Sequence, residues 1–346
     1  ELIGWDFEAR DLMQHQWAGV AHAMTVMHAA NFSVPGAGKT ATTLAVIAAH
    51  LASETIDTIV VVGPLASFTP WEKEAQIALP GVLDVKRVRG VNSRARQAFY
   101  RDAAPRDLLL LTYPTVVADL AELLRLAERR NILLVIDESH RIKRFRGGQW
   151  ATAMVELARA ATIRIILSGT PMPQSALDLW TQLNVLWPHE ELTGSRSSFR
   201  LRADTQFDAL IDDVRPVFLR TPKSALGIPD FRIIPHEVAA PPLQAEIVDL
   251  IQGQFRRQLE DADTWADRID ILRRARPLRL LQAASNPDLL NLQDGFFHLP
   301  PLQMDGGTLM QRLADYRQLE VPGKFTAALD LLQDQIDRGE KTVVWT

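Results

Sequence analysis

Ser33-Val34-Pro35-Gly36-Ala37-Gly38-Lys39-Thr40 sets two glycines, a lysine and a threonine in one short run. Glycine at such positions lets backbone N–H groups approach a polyanion closely, and the lysine brings it a cation. With a strand before it and a helix after it, the run also gains the positive end of a helix dipole. That is the chemistry of a phosphate cradle. Gly36, Ala37, Gly38, Lys39 and Thr40 would hold ATP, with Lys39 reaching the β- and γ-phosphates and the Thr40 hydroxyl ligating Mg²⁺. Loops of this kind open on Gly, and Ser33 stands there instead.

A second cluster follows about 100 residues downstream. Leu133-Leu134-Val135-Ile136 is apolar and ends in Asp137-Glu138. Adjacent carboxylates on one extended segment point apart. One can hold Mg²⁺ through water while the other polarises an attacking water. The reading assigns Asp137 to the metal and Glu138 to the water, with Lys39 completing the catalytic set. Alone, such a pair is also what a solvated turn after a strand looks like.

Both clusters need one sheet edge to bring them together. Short β-rich runs at 31–34, 58–62, 108–112, 132–136 and 163–167 alternate with helical stretches at 40–51 and 117–129. Alternation of this kind predicts an α/β fold, a parallel sheet flanked by helices, whose ligands bind beyond the C-terminal strand ends. After Pro188 the strand-like runs thin out. Residues 189–320 read as mostly helical insertions and a linker, with a Gly- and Pro-containing loop at 291–308. Residues 324–338 read as a helix and 342–345 as the start of a strand. The domain expectation is 1–188, 189–320 and 321–346, the last being the opening of a further domain. The chain starts on Glu1 rather than Met, and the reading places its natural start upstream.

With both clusters in place, the chain resembles the Swi/Snf-type DNA translocases of helicase superfamily two. Leu12 to Val20 is similar to the family's Leu-Arg-Pro-Tyr-Gln-x-x-Gly-Val. Val60-Val61-Val62-Gly63-Pro64-Leu65 with Trp71 and Glu74 matches its Val-x-Pro-Leu…Trp-x-x-Glu. Leu110 to Tyr113 matches a strand ending in Thr-Tyr. Asp137 to Lys143 matches Asp-Glu-x-His-Arg-x-Lys. Leu167-Ser168-Gly169-Thr170-Pro171, with its tail to Leu179-Trp180 and Leu186, is the most specific match. Arg220 to Lys223, Ile228-Pro229, Asn286-Pro287 and Pro322 to Phe325 resemble later elements.

The resemblance implies a RecA-like first motor domain and the start of a second. It assigns Gln16 to the adenine and His140, Ser168, Gly169 and Thr170 to coupling. Candidate DNA contacts are Ser67, Trp71, Arg87, Arg89 and Thr112, although plain core packing suits Trp71 equally. It implies ATP-dependent tracking on double-stranded DNA, within a larger assembly of domains or subunits whose second motor domain brings arginine fingers. Val34-Pro35, Pro173-Gln174 and Asn286 depart from the pattern, so chromatin remodelling is not implied. Divergent microbial members serve in transcription recycling, restriction and antiphage defence. A strand-separating helicase, a non-hydrolysing nucleotide-dependent scaffold and a small-molecule phosphoryl-transfer enzyme are the competing readings.

Composition limits these choices. The formal net charge is -4, which excludes a uniformly basic nucleic-acid binder and leaves local patches to meet phosphates. Lys86, Arg87, Arg89, Arg94, Arg96 and Arg101 form one stretch without an acid among residues 85–101, readable as a phosphate-contacting or a merely solvated face. Arg141, Lys143, Arg144 and Arg146 cluster after the acidic pair, and Arg273, Arg274, Arg276 and Arg279 fall on an expected helix. The chain has no cysteine, so disulfides and thiolate zinc sites are excluded, in keeping with a cytoplasmic protein. No apolar run is long enough for a membrane helix.

Overall fold

Residues 59–62, 108–111 and 132–136 are uninterrupted apolar runs, so strands built from them need cover on both faces. The computed structural model describes residues 2–90, 92–143, 148–190, 192–227, 229, 232–260, 264, 276–291 and 307–345. The chain falls into two compact units, Glu1–Asp230 and Phe231–Thr346.

The first unit carries seven strands: β1 (Ala29–Asn31), β2 (Thr58–Val62), β3 (Asp84–Arg87), β4 (Asp107–Leu111), β5 (Ile132–Asp137), β6 (Ile163–Leu167) and β7 (Phe218–Leu219). They form one parallel sheet in the order β3-β4-β2-β5-β6-β1-β7. Side chains alternate across it. Val60, Val62, Leu109, Leu111, Leu134 and Ile136 face one core; Ile59, Val61, Leu108, Leu110, Leu133 and Val135 face the other. The helices α1 (Gln14–Val26), α2 (Lys39–Ala52) and α3 (Phe68–Ala78) cover the second core. The first is covered by helices that include α5 (Tyr113–Ala127), α6 (Gln149–Ala160) and α7 (Asp178–Leu186), which follow α4 (Ser93–Arg101) in the chain. This is the parallel α/β sheet expected from the alternation, and the RecA-like architecture that the resemblance implies.

Because all strands run the same way, their C-terminal ends share one edge. Register pairs Val62 with Ile136, Asp137 with Leu167, and Leu167 with Asn31. The loops that leave these residues therefore emerge side by side.

Four details differ from the sequence reading. The run expected as a strand at 31–34 ends at Asn31, because the Asn31 side chain accepts a hydrogen bond from the Ser33 N–H (3.1 Å) and turns the chain out of the ladder. β3 is charged at three of its four positions and β7 is two residues long, and neither was anticipated. The third, β7, also lies beyond Pro188, inside the first unit. Fourth, the strand expected at 342–345 is absent. Residues 341–345 have no regular structure and Trp345 is 91% exposed. A single strand has no ladder to satisfy its backbone and does not persist alone.

The regular structure of the second unit is helical among the described residues. Pro242–Glu260, Arg276–Ser285, Gly307–Ala314, Tyr316–Leu319 and Gly323–Asp337 are helices. Leu243, Ile247, Ile251, Ala283, Leu290, Leu313 and Tyr316 make a small core. The Glu320 carboxylate accepts from the N–H groups of Leu243 (2.9 Å) and Gln244 (2.8 Å) and so caps the first of these helices. Most of the loop expected at 291–308, together with Arg144, Arg146, Ile228, Arg273 and Arg274, lies outside the described residues.

Candidate active site

The phosphate loop runs from β1 into α2, whose first residue is Lys39. Gly36 and Gly38 have φ of 85° and 73°, the left-handed region where glycine alone is unstrained. A side chain on Gly38 would also collide with Gln16 Nε2, whereas nothing lies within 4 Å of where one would stand on Gly36. That open side, above the free N–H groups of the α2 terminus, fits a phosphate. Lys39 Nζ donates to the Ser33 carbonyl (3.0 Å) and the Val34 carbonyl (3.3 Å), spanning the loop. Burial pulls the Lys39 ammonium below its ordinary range, and the carboxylates of Glu138 and Asp137 pull the other way. The two sequence clusters therefore converge on one ammonium group.

Ser33 is a bracket for the loop. Its hydroxyl accepts from the Thr221 N–H (3.0 Å), and the Val34 N–H donates to the Thr221 carbonyl (3.2 Å). Gln16 is 3% exposed; its Oε1 accepts from the Met13 N–H (2.9 Å) and its Nε2 donates to the Ala37 carbonyl (3.4 Å). The resemblance assigns Gln16 to adenine; here its amide is hydrogen-bonded to the phosphate loop at Ala37.

The acidic pair is not one extended segment. Asp137 ends β5, and Glu138 takes φ 54° and ψ 49°, a left-handed conformation. For a residue with a Cβ this costs about 1–2 kcal/mol. The Tyr113 hydroxyl fixes the bend, donating to the Asp137 carbonyl (2.6 Å) and lying 3.2 Å from the Glu138 carbonyl. Burial pushes the Tyr113 phenol well above its ordinary value, so it remains a donor. Asp137 Oδ1 accepts from the Glu138 N–H (2.9 Å) and Oδ2 from the Trp71 indole (3.1 Å). A carboxylate has about four acceptor sites, so Asp137 keeps capacity for a metal-bound water.

The Ser168–Gly169–Thr170 segment, to which the resemblance assigns coupling, lies next door. The Ser168 N–H donates to the Asn31 carbonyl (3.2 Å), and its hydroxyl accepts from the Thr170 N–H (3.1 Å). His140 Nδ1 stands 3.2 Å from Ser168 Oγ and 3.2 Å from Glu138 Oε2. A Cβ on Gly169 would come within 2.9 Å of Pro35 Cδ, so the glycine lets this segment press on the phosphate loop.

Of the candidate DNA residues, Trp71 is corrected. It is fully buried, and its indole serves Asp137. Ser67, Thr112 and Arg87 lie just past or at the ends of β2, β4 and β3, which are neighbours in the sheet. Ser67 Oγ donates to the Pro64 carbonyl (2.9 Å), and Thr112 caps α5. Arg87 is held by both carboxylate oxygens of Glu72 and lies over the Phe68 ring. Lys86 pairs with Asp107, Arg96 with Asp119 and Arg101 with Asp102. Arg89 and Arg94 are the exposed cations of that stretch that carry no ion pair among the described residues. Among the described residues no three His, Asp or Glu side chains gather to hold a metal, and no helix is long and apolar enough to cross a membrane.

Residues 32–232, more than half of the chain, match the SNF2-related domain. The chain belongs to that family. It is thus a superfamily-two motor domain of SNF2 type, a nucleotide-binding ATPase. A stretch of 159 residues is 32% identical to Helicase swr1 of Aspergillus fumigatus, covering 45% of this chain and 9% of that protein. Over 199 residues it is 28% identical to Helicase swr1 of Schizosaccharomyces pombe, covering 54% and 15%. The chain spans only a small part of the length of either relative. The SWI2/SNF2 ATPase core of Sulfolobus solfataricus, solved in complex with double-stranded DNA, has the same fold (TM-score 0.53, 20% identity, 99% of this chain and 67% of that one). A second structure, of the Sulfolobus solfataricus SWI2/SNF2 ATPase core domain, gives TM-score 0.53 at 22% identity, over 84% of this chain and 60% of that one.

The SNF2-type site gives three residues roles that sequence reading did not assign to them. Tyr113 bends the acidic pair, Trp71 steadies Asp137, and Gln182 lies buried between the acidic pair and the coupling segment. Tyr113 and Trp71 were visible as motif matches, but their partners were not. For Gln182 no comparable signal was available, because its helix also carries Asp178, Thr181 and Asn184.

Proposed function

We propose that the chain is the first ATP-binding half of a motor that tracks along double-stranded DNA by Mg²⁺-dependent ATP hydrolysis. The observation that carries this reading is the position of His140. Its Nδ1 is equidistant from the carboxylate of Glu138 and the hydroxyl of Ser168. One imidazole nitrogen placed between a carboxylate and a hydroxyl is a natural switch, since a change at Glu138 alters its contact with Ser168.

The chain's own groups then have these roles. Gly36, Ala37 and Gly38 offer backbone N–H groups to the phosphates, and Lys39 leaves the Ser33 and Val34 carbonyls for the β- and γ-phosphates. Glu138 accepts a proton from the water that attacks the γ-phosphorus, and the bond to the β–γ bridging oxygen breaks. Asp137 and Thr40 would hold Mg²⁺, which when bound neutralises charge on the phosphates. A metal carried by one carboxylate, one hydroxyl and the nucleotide agrees with the absence of a preformed cage among the described residues.

Duplex tracking draws on the alignment of Ser67, Thr112 and Arg87 at adjacent strand ends, with Arg89 exposed beyond them. Contacts of that kind meet phosphates and not base edges. The relative from Sulfolobus solfataricus was solved on double-stranded DNA. Further domains or subunits in the cytoplasm complete the cleft in this reading.

The test is third-strand displacement by the full-length protein. ATP should release a labelled third strand from a triplex while the underlying duplex stays paired, and Ser168→Ala should slow release more than ATP binding. Separation of a tailed duplex, without triplex displacement, would replace the proposal with the strand-separating reading.

A further inference from the structure

Gln182 sits in α7 among Leu179, Trp180, Thr181 and Leu183, and its side chain is fully buried. A buried amide is costly unless each polar atom finds a partner. All of this one's do. The Ser139 hydroxyl donates to Gln182 Oε1 (2.7 Å). Gln182 Nε2 donates to the Pro171 carbonyl (2.8 Å) and to the Asp178 carbonyl one turn earlier (2.7 Å). Ser139 is itself fully buried and follows Glu138 directly. Pro171 directly follows Thr170 of the coupling segment.

One amide therefore joins the residue after the water-polarising carboxylate to the residue after the coupling motif. It runs beside the His140–Ser168 contact but differs in kind. His140 and Glu138 are both partly exposed, with one imidazole nitrogen between a carboxylate and a hydroxyl. The Ser139–Gln182–Pro171 link is buried at Ser139 and Gln182, paired at each amide atom of Gln182 and anchored on a helix. The far end is fixed too, because Asp178 Oδ2 accepts from the N–H groups of Gln174 (2.8 Å) and Ser175 (3.2 Å). The first contact is free to switch, and the second holds the distance over which it switches.

We propose that Gln182 is a positioning residue for ATP hydrolysis. Through Ser139 it sets the left-handed turn that aims Glu138, and through Pro171 it carries a change at that turn to the coupling segment. The inference rests on the reading of Glu138 as the hydrolytic carboxylate. Hydrogen-bonded buried networks of this kind act as units, so removing either member should cost about as much as removing both.

The test uses Gln182→Met, Ser139→Ala and the double variant in the full-length protein. Gln182→Met keeps the length of the side chain but removes its polar atoms and strands the Ser139 hydroxyl. S139A/Q182M removes that stranded hydroxyl too, and is the variant expected to fold when Q182M does not. Each single change should lower kcat about tenfold with the KM for ATP held within about twofold, and the double should be no slower than the worse single. Wild-type kcat in a folded double variant, or losses that simply multiply, would overturn the proposal. Hydrogen exchange gives a readout that does not depend on turnover. Backbone amides at 139–143 and at 172, 174 and 175 should exchange faster together in Q182M, and unchanged exchange at both places would also overturn it. Glu138→Gln serves as the control: normal turnover there would remove the hydrolytic reading, while the exchange result would still report on the link.

Discussion

The Trp71 indole N–H donates to Asp137 Oδ2 across 3.1 Å, so a residue on α3 fixes the carboxylate at the end of β5. The bond gives the fully buried Trp71 a partner for its one polar group. It also separates two roles that sequence alone leaves open for Trp71.

Trp71→Phe keeps most of the buried volume and removes the donor. Groups that orient a metal-binding carboxylate typically matter by about 10–100-fold in metal affinity or activity. The variant should need about 10-fold more Mg²⁺ for half-maximal ATPase, with duplex-DNA affinity unchanged, measured by Mg²⁺ titration beside a DNA-binding isotherm. A loss of DNA affinity with a normal Mg²⁺ requirement would restore the DNA role.

Lys39→Ala should lower hydrolysis by roughly 100-fold or more, because it removes the cation facing the β- and γ-phosphates. It should also loosen the loop itself, since Lys39 bridges the Ser33 and Val34 carbonyls. Calorimetric ATP titration and steady-state turnover check both. Wild-type turnover would remove the phosphate-loop assignment.

Glu138→Gln should bind ATP and not hydrolyse it. Glu138→Gly should also stop hydrolysis, yet raise thermal stability by about 1 kcal/mol, since glycine relieves the left-handed backbone at φ 54°. Thermal denaturation beside ATP binding decides this. A stability loss in E138G, with binding intact, would mean that the turn is not strained.

His28 is buried, lies edge-on to Trp187 (4.9 Å), and its pKa is lowered to about 4, first by burial and then by Arg164 and His50. Burial lowers His50 as well. Both take up protons more readily in the unfolded chain, so their contribution is complete above the ordinary histidine range and is lost as pH falls toward about 4. The melting temperature should therefore fall from about pH 6.5 to about pH 4.5, and His28→Leu should flatten that slope. An unchanged slope in His28→Leu would place the acid sensitivity elsewhere.

Much of this was legible in the sequence for a physical reason. β2 and β6 were read with the observed bounds, and β4 and β5 to within one residue, because strands covered on both faces must be apolar throughout. The phosphate loop and acidic pair are local, and local sequence carries them. What escaped depends on partners far along the chain. β3 is a charged edge strand supported by β4, and β7 exists through its pairing with β1. The bend at Glu138 is held by a tyrosine 25 residues earlier, and Gln182 meets Ser139 across 43 residues. Only the fold could supply their partners.

The central claim is a motor that uses intact duplex as its track, and ATPase stimulation tests it most directly. Turnover of the full-length protein should be measured against single-stranded DNA, duplex DNA and duplex RNA at two salt concentrations. The account predicts the greatest stimulation by duplex DNA, little dependence on sequence, and a steep loss with added salt, because the contacts are to phosphates. Stronger stimulation by single strands, insensitive to salt, would contradict it.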